Sequence, residues 1–242
     1  MSEVMIERPY EGVALVRMCA PERKNAFTGA TARALRDALQ AVDADPGIGA
    51  LVLTGTTDAF CAGAHRDLLA AVGRGEPQAV SDIEVVYDIF EVMRNSRVPI
   101  IAAVCGSAVG AGLNLVLAAD VRVVADDAYL RSMFVANSIH PGGAHLQMLD
   151  RMGGREAVTL MAVLDEPLSG AEFARRGWAA EALPAEEVEA RALALARRAG
   201  RAPELARLIK QSSRATADLS AVEAADYEGR QQRTTLTARF AV

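Results

Sequence analysis

Cysteine is scarce and unpatterned in this chain. Its three cysteines, Cys19, Cys61 and Cys105, are odd in number, widely spaced and set among apolar residues. Neither a disulfide framework nor a metal site follows from them. No His/Cys/Asp spacing elsewhere recommends a metal. A reducing cytoplasm is the default compartment. Basic excess is missing too. The formal net charge is −5, whereas a duplex-binding surface normally carries a basic bias, so nucleic acid is not an expected partner. The opening stretch MSEVMIERPYEGVALV has no basic region followed by an apolar core and does not read as a signal peptide. There is no Gly-x-Ser-x-Gly elbow, and Ser107 has no identifiable partner for a hydrolytic trio. Linkers and internal repeats are absent. One apolar run, residues 98–119 (VPIIAAVCGSAVGAGLNLVLAA), is long enough to span a bilayer. Pro99, Gly106, Gly110 and Gly112 break it into a strand, a turn and a helix, so a buried core is expected and no membrane.

What is present suits a large core. Hydrophobic residues make up 51% of 242 positions, too many for a disordered chain. Strands are expected at 4–8, 13–18, 50–54, 99–105 and 121–125. Helices are expected at 28–44, with Leu35, Leu39 and Val42 on one face, at 81–95 and at 112–119. Residues 73–78 read as a mobile surface loop. The repeated strand–loop–helix order argues for an α/β fold with a largely parallel sheet. From about residue 169 the pattern turns helical. Ser169 and Glu172 form a capping-box pair with Gly177 as the C-cap, 185–199 is an amphipathic helix closed by Gly200, Pro203 starts another helix, and Ser220 and Glu223 open the last.

Two glycine-bearing turns follow buried strands: DAFCAGAH at 58–65 and CGSAVGAGLN at 105–114. Small residues let a ligand approach the backbone. A turn that opens a helix also points free N–H groups at that ligand. Two such turns facing each other would make a two-donor pocket for a developing oxyanion. Taken singly, either turn is equally well explained by tight packing.

Together the motifs resemble the crotonase (enoyl-CoA hydratase/isomerase) family. FCAGA (60–64) and AVCGSAVGAGLNLVLAADVRVVA (103–125) are similar to its two oxyanion segments, in order and separation. PERKNAF (21–27) resembles its segment beside the CoA nucleotide, and IHPGGA (139–144) its Pro-Gly turn. The resemblance implies a spiral of ββα turns over residues 1–180 and a helical region over 181–242 for packing into trimers or hexamers. It implies an acyl-CoA thioester as partner, no separate cofactor because coenzyme A is part of the substrate, and a place in fatty acid metabolism as a lyase or isomerase. By position, the backbone N–H groups of Ala64 and Ala111 would bind the thioester oxygen, within turns shaped by Gly63 and Gly110. Ala26 and Ala62 would lie near the adenine. Arg23 or Lys24 is a candidate for the CoA phosphates, with a solvated loop pair as the plain alternative.

The family's hydratases use two glutamates. By position these are Asn114 and Phe134 here, and neither side chain exchanges a proton near neutral pH. Other groups are then candidates. His140, beside the Pro-Gly turn, and His65, next to the first oxyanion donor, have the right pKa range for acid/base work. Each is alternatively a packing or outward-facing residue. His145 reads as a helix start, capping or exposed. Asn137 and Ser138 are polar in a pocket-lining segment and can simply bond to backbone. Glu84, Tyr87 and Asp88 share the helix lining the acyl tunnel, where a solvated stripe is the plain alternative. A last helix bearing basic residues over the CoA is not expected, since the chain ends at Arg239-Phe240-Ala241-Val242. Three readings stand: an enzyme with non-standard acid/base residues, a non-catalytic acyl-CoA binder, and an interaction protein that binds no CoA.

Overall fold

A computed structural model describes residues 3–240; Met1, Ser2, Ala241 and Val242, which belong to the two terminal stretches read above, lie outside them. The chain opens with a hairpin, β1 (Val4–Tyr10) and β2 (Val13–Met18), paired antiparallel. Helix α1 (Gly29–Ala44) follows, its start fixed by Thr28, whose hydroxyl accepts the Thr31 N–H at 3.2 Å. Leu35, Leu39 and Val42 are buried on one face, as their spacing requires.

Three ββα turns then repeat. The first comprises β3 (Ala50–Thr54), β4 (Ala59–Cys61), α2 (Arg66–Gly73) and α3 (Pro77–Asn95). The second comprises β5 (Ile100–Val104), β6 (Ser107–Val109) and α4 (Ala111–Ala118). The third comprises β7 (Val121–Ala125), β8 (Tyr129–Arg131) and α5 (His145–Ala157), which runs on into a π-helical turn, Val158–Val163. Next come β9 (Leu168–Ser169), α6 (Gly170–Arg175), β10 (Glu181–Leu183), α7 (Ala185–Gly200), α8 (Pro203–Ala215) and α9 (Ala221–Phe240).

In each turn the first strand joins a six-stranded sheet, ordered β1-β2-β3-β5-β7-β10 and parallel from β2 onward. The second strand joins a small sheet, β4-β6-β8-β9, so the chain spirals between two layers. β3 and β5 are buried at every position, the signature of parallel strands covered on both faces. The apolar run at 98–119 thus resolves into β5, β6 and α4, and no described helix is long and apolar enough to cross a membrane. The 73–78 segment is not a loop of that length. It holds the end of α2 and a short turn, and α3 already begins at Pro77, whose fixed φ suits a first helical position.

The helical tail follows its capping signals. Ser169 and Glu172 exchange both bonds of a capping box, and Gly177 sits just past α6 at φ +78°. β10 extends the main sheet beside β7, and α7 covers the sheet with Val188, Ala192 and Ala196. Gly200 is the last helical residue of α7 rather than a left-handed cap. Its lack of a side chain serves the close approach of α7 to Val13 and the Glu11–Gly12 turn.

Helix α8 inverts the usual amphipathic arrangement. Its buried residues are Arg207 and Lys210, while Leu205 and Ile209 are exposed. The Arg207 guanidinium donates to the carbonyls of Ile48 (2.7 Å), Asp43 (2.9 Å), Val42 (3.4 Å) and Asp45. It therefore adds a donor to carbonyls around the end of α1, where the Val42 and Asp45 carbonyls also accept backbone N–H groups and the Asp43 carbonyl also accepts from Arg97. Lys210 Nζ meets the Asp120 carboxylate at 2.5 Å and the Val98 carbonyl at 2.8 Å.

Candidate active site

The two glycine turns meet. A Cβ placed on Gly63 would lie 2.7 Å from the Val109 carbonyl oxygen and 3.3 Å from the Ala111 nitrogen. Gly63 also has φ +90°, outside the range of ordinary side-chain-bearing residues. The second turn is as tight. A Cβ on Gly112 would sit 2.0 Å from the Cys61 carbonyl oxygen, so only glycine lets the start of α4 lie against β4. The PERKNAF loop braces the first turn. Phe27 N–H donates to Gly63 O (2.7 Å), His65 N–H to Phe27 O (2.8 Å) and Ala62 N–H to Lys24 O (2.9 Å). Buried Asn25 ties the loop down, donating to Ala59 O (2.8 Å) and accepting from Ala20 N–H (2.8 Å). Neither the Ala64 N–H nor the Ala111 N–H has an acceptor among the described residues.

Between the turns lies a cavity of about 100 Å³. Ala62, Gly63, Ala64, Gly110, Ala111, Asn114 and Phe134 line it, along with Ile83, Val86, Tyr87 and Phe90 of α3. Of the three histidines, His140 lines the cavity but is exposed, with its Nδ1 2.8 Å from the Pro141 carbonyl oxygen. His65 is turned to another task. Its Nδ1 accepts the Asp67 N–H at 3.3 Å and caps α2, and it does not line the cavity.

His145 is the residue the sequence misplaces. It does begin α5, but it is 1% exposed rather than a surface cap. Its ring bridges the side chains of two residues in the cavity wall. Nδ1 is 2.5 Å from Asn114 Oδ1, and Nε2 is 2.7 Å from Ser132 Oγ. The protons follow from elementary donor–acceptor logic. Asn114 Nδ2 donates to the Gly142 carbonyl at 3.0 Å, and a carbonyl can only accept, so Oδ1 faces His145. An amide oxygen also only accepts, so His145 carries its proton on Nδ1. Nε2 is then a lone pair, and Ser132 Oγ–H donates to it. Burial pushes the His145 pKa down to about 4, which keeps the ring neutral at ordinary pH. The Phe134 ring packs edge-on against it, with centroids 4.9 Å apart.

The remaining candidates divide. Arg23 is engaged with Glu3, Glu22 and Thr31 rather than free for a phosphate. Lys24 is exposed in the left-handed region, and Ala26 is buried. Asn137 donates to the Met133 carbonyl at 2.9 Å. Tyr87 reaches the cavity while Glu84 and Asp88 face outward. Sequence reasoning missed Ser132 and Asn25. The available signal was a polar residue isolated among apolar ones, as with Asn114 in AGLNLVLAA, but nothing linear connects positions 114, 132 and 145. Among the described residues no group of three or more His, Cys, Asp or Glu could hold a metal ion.

A ββα spiral with two glycine turns closing on one cavity is the architecture of the crotonases, and comparison with known proteins agrees. The sequence model described as enoyl-CoA hydratase/isomerase matches residues 8–239, so the chain belongs to that family. A Mycobacterium tuberculosis protein described as probable enoyl-CoA hydratase EchA14 is 37% identical over 217 residues, covering 89% of this chain and 83% of that one. A Rhodobacter capsulatus protein described as probable enoyl-CoA hydratase is 34% identical over 191 residues, 77% of this chain and 73% of that one. Among solved structures, an enoyl-CoA hydratase from Bacillus anthracis superposes with a TM-score of 0.86 at 24% identity, over 96% of this chain and 90% of that one. One from Polaromonas sp. JS666 gives 0.85 at 25% identity, over 98% and 92%.

Proposed function

We propose that the protein is an acyl-CoA enzyme that holds the thioester oxygen between the backbone N–H groups of Ala64 and Ala111. The observation carrying this is the contact of the Gly63 and Gly110 turns, beside which both of these N–H groups have no acceptor among the described residues. In a water-poor pocket, two fixed donors stabilise negative charge as it moves onto the oxygen. Loss of one such donor typically costs about 3–4 kcal/mol of barrier. Ala111 adds only a methyl group and leaves the donor intact. Lys24, exposed beside the braced first turn, is the better placed of the two loop bases to meet CoA phosphates. The adenine would lie near Ala26 and Ala62.

The positions matching the family's two glutamates are Asn114 and Phe134, so glutamate-assisted hydration is not the reaction we infer. Those same two residues favour a second reading, a non-catalytic acyl-CoA binder. Thermal shift against a panel of CoA thioesters, followed by turnover assays of the binders, separates the two. Stabilisation with turnover supports the enzyme, stabilisation alone the binder, and no stabilisation defeats both. We further infer assembly into trimers or hexamers in a reducing cytoplasm. The exposed Leu205 and Ile209 of α8 and Val222 and Leu236 of α9 support the first. The three free cysteines support the second. Light scattering at defined protomer concentration reads the mass; a monomer throughout would refute assembly.

A further inference from the structure

We propose that Ser132, His145 and Asn114 form a nucleophilic relay, and that the protein hydrolyses short acyl-CoA thioesters through an acyl-Ser132 intermediate. The inference depends on the reading above only in placing a thioester in the cavity. It deepens that reading by naming a reaction that needs no glutamate.

The geometry has the three parts that nucleophilic catalysis asks for. A hydroxyl donates to an imidazole at 2.7 Å, and the imidazole is held in one tautomer by a third side chain at 2.5 Å. The third side chain is itself fixed, through its bond to Gly142 O. Ser132 and Asn114 are among the residues around the same cavity as Ala64 and Ala111, so the candidate nucleophile lies in the wall of the space that the oxyanion donors border. The three members come from β8–α5 and α4, which explains why no linear elbow announces them.

The steps balance. Ser132 Oγ bonds to the thioester carbonyl carbon as its proton passes to His145 Nε2. The carbonyl electron pair moves to oxygen, against the Ala64 and Ala111 N–H groups. The C–S bond breaks, and the departing sulfur takes the proton from His145 to leave as CoA thiol. Water then attacks the acyl ester, giving its proton to His145. The C–Oγ bond breaks, Ser132 regains the proton, and the carboxylic acid departs. Water is the only co-reactant. A neutral His145 is the form that accepts the first proton.

The size of the cavity restricts the substrate. At about 100 Å³ it is smaller than the roughly 300–1,000 Å³ usual for ligand pockets. Ser132 lines it but presents no surface to water. An acyl group must therefore widen the cavity to reach Oγ. Met133 and Phe134 are the adjoining wall, and Met133 has φ +62°, a conformation held by its N–H bond to Asp165 Oδ1 at 2.7 Å. Short acyl chains fit this space better than long ones.

The test uses the full chain with acetyl-, butyryl-, crotonyl- and benzoyl-CoA. Thermal shift reports binding, a chromogenic disulfide reports free CoA thiol, and mass spectrometry of the quenched reaction reports acylation. At least one thioester should show a burst of thiol, with the acyl mass on the peptide carrying Ser132. Ser132→Ala and His145→Gln should each lower thiol release at least about a hundredfold. Acylation of the unaltered protein needs no variant, so a variant that fails to fold leaves the test intact. Binding without thiol release would overturn the relay and spare the thioester site. So would thiol release unchanged in Ser132→Ala, or α-proton exchange with solvent in place of release. No binding by any thioester would overturn the site as well.

Discussion

Acidification should weaken this protein through one buried ring. His145 is held at a pKa of about 4 by burial, against an ordinary 6.5. The unfolded chain therefore takes up a proton at this position before the folded one does. Stability must fall as pH drops from about 6.5 to about 4, and this contribution levels off below. At 1.36 kcal/mol per pKa unit, the whole window is worth about 3 kcal/mol, and about 2 kcal/mol of it is lost between pH 7 and pH 5. Several carboxylates held below their ordinary range, Asp43 and Glu3 among them, also weaken the fold toward acid. A difference measurement removes them. Urea unfolding of the parent and of His145→Gln can be followed at pH 5, 6, 7 and 8 and at fixed protomer concentration. The reporter is the single tryptophan, Trp178, buried edge-on to Phe173. The parent should lose about 2 kcal/mol more than the variant from pH 7 to pH 5. Parallel profiles would refute the argument that the ring is held neutral by its surroundings.

Three further outcomes are expected. Gly112→Ala should destabilise the fold by roughly 3 kcal/mol, because the added methyl meets the Cys61 carbonyl and α4 must shift; denaturant midpoints check this. The shift carries the Ala111 N–H with it, so turnover of any thioester substrate should fall further than folded fraction alone explains. Arg207→Met should cost about 1–3 kcal/mol, since it leaves the Ile48 carbonyl without its donor and takes one from the Asp43 carbonyl; a loss under about 0.5 kcal/mol would mean that water replaces the guanidinium freely. Burial pushes the Cys61 thiol up to about 12, so at pH 8 a thiol reagent should label it only at the rate of unfolding. Rapid labelling of Cys61 in the folded protein, mapped by peptide mass, would contradict its burial.

Much of the scaffold is legible in the sequence because its signals are local. Fully apolar runs such as ALVLT give β3, the 35–39–42 spacing gives α1, and Ser169 with Glu172 states its own cap. The small second sheet is not legible. β4, β6 and β8 are three residues each, too short to show a period, and they are defined by neighbours from other turns of the spiral. The two glycine turns were readable as places for a ligand, and the structure adds that they touch. His145 was misjudged because a histidine at a helix start is ordinarily exposed; its burial comes from Asn114, Ser132 and Phe134, which lie 31, 13 and 11 positions earlier. The inward-facing Arg207 was illegible for a related reason. An arginine mid-helix reads as a solvent contact unless one knows which helix end lies beneath it.

That arginine also sets an order of events during synthesis. The carbonyls at Val42, Asp43, Asp45 and Ile48 leave the ribosome about 160 residues ahead of the guanidinium that satisfies them. At 5–20 residues per second the gap is roughly 8–30 s. Through that interval the Val42, Asp43 and Asp45 carbonyls have only their earlier donors, the Asp45 and Ile48 N–H groups and Arg97, while the Ile48 carbonyl pairs with water or a foreign donor. The nascent spiral is thus assembled early and latched late, and a ribosome that stalls within α7 would hold an α1 end that still lacks its last donor.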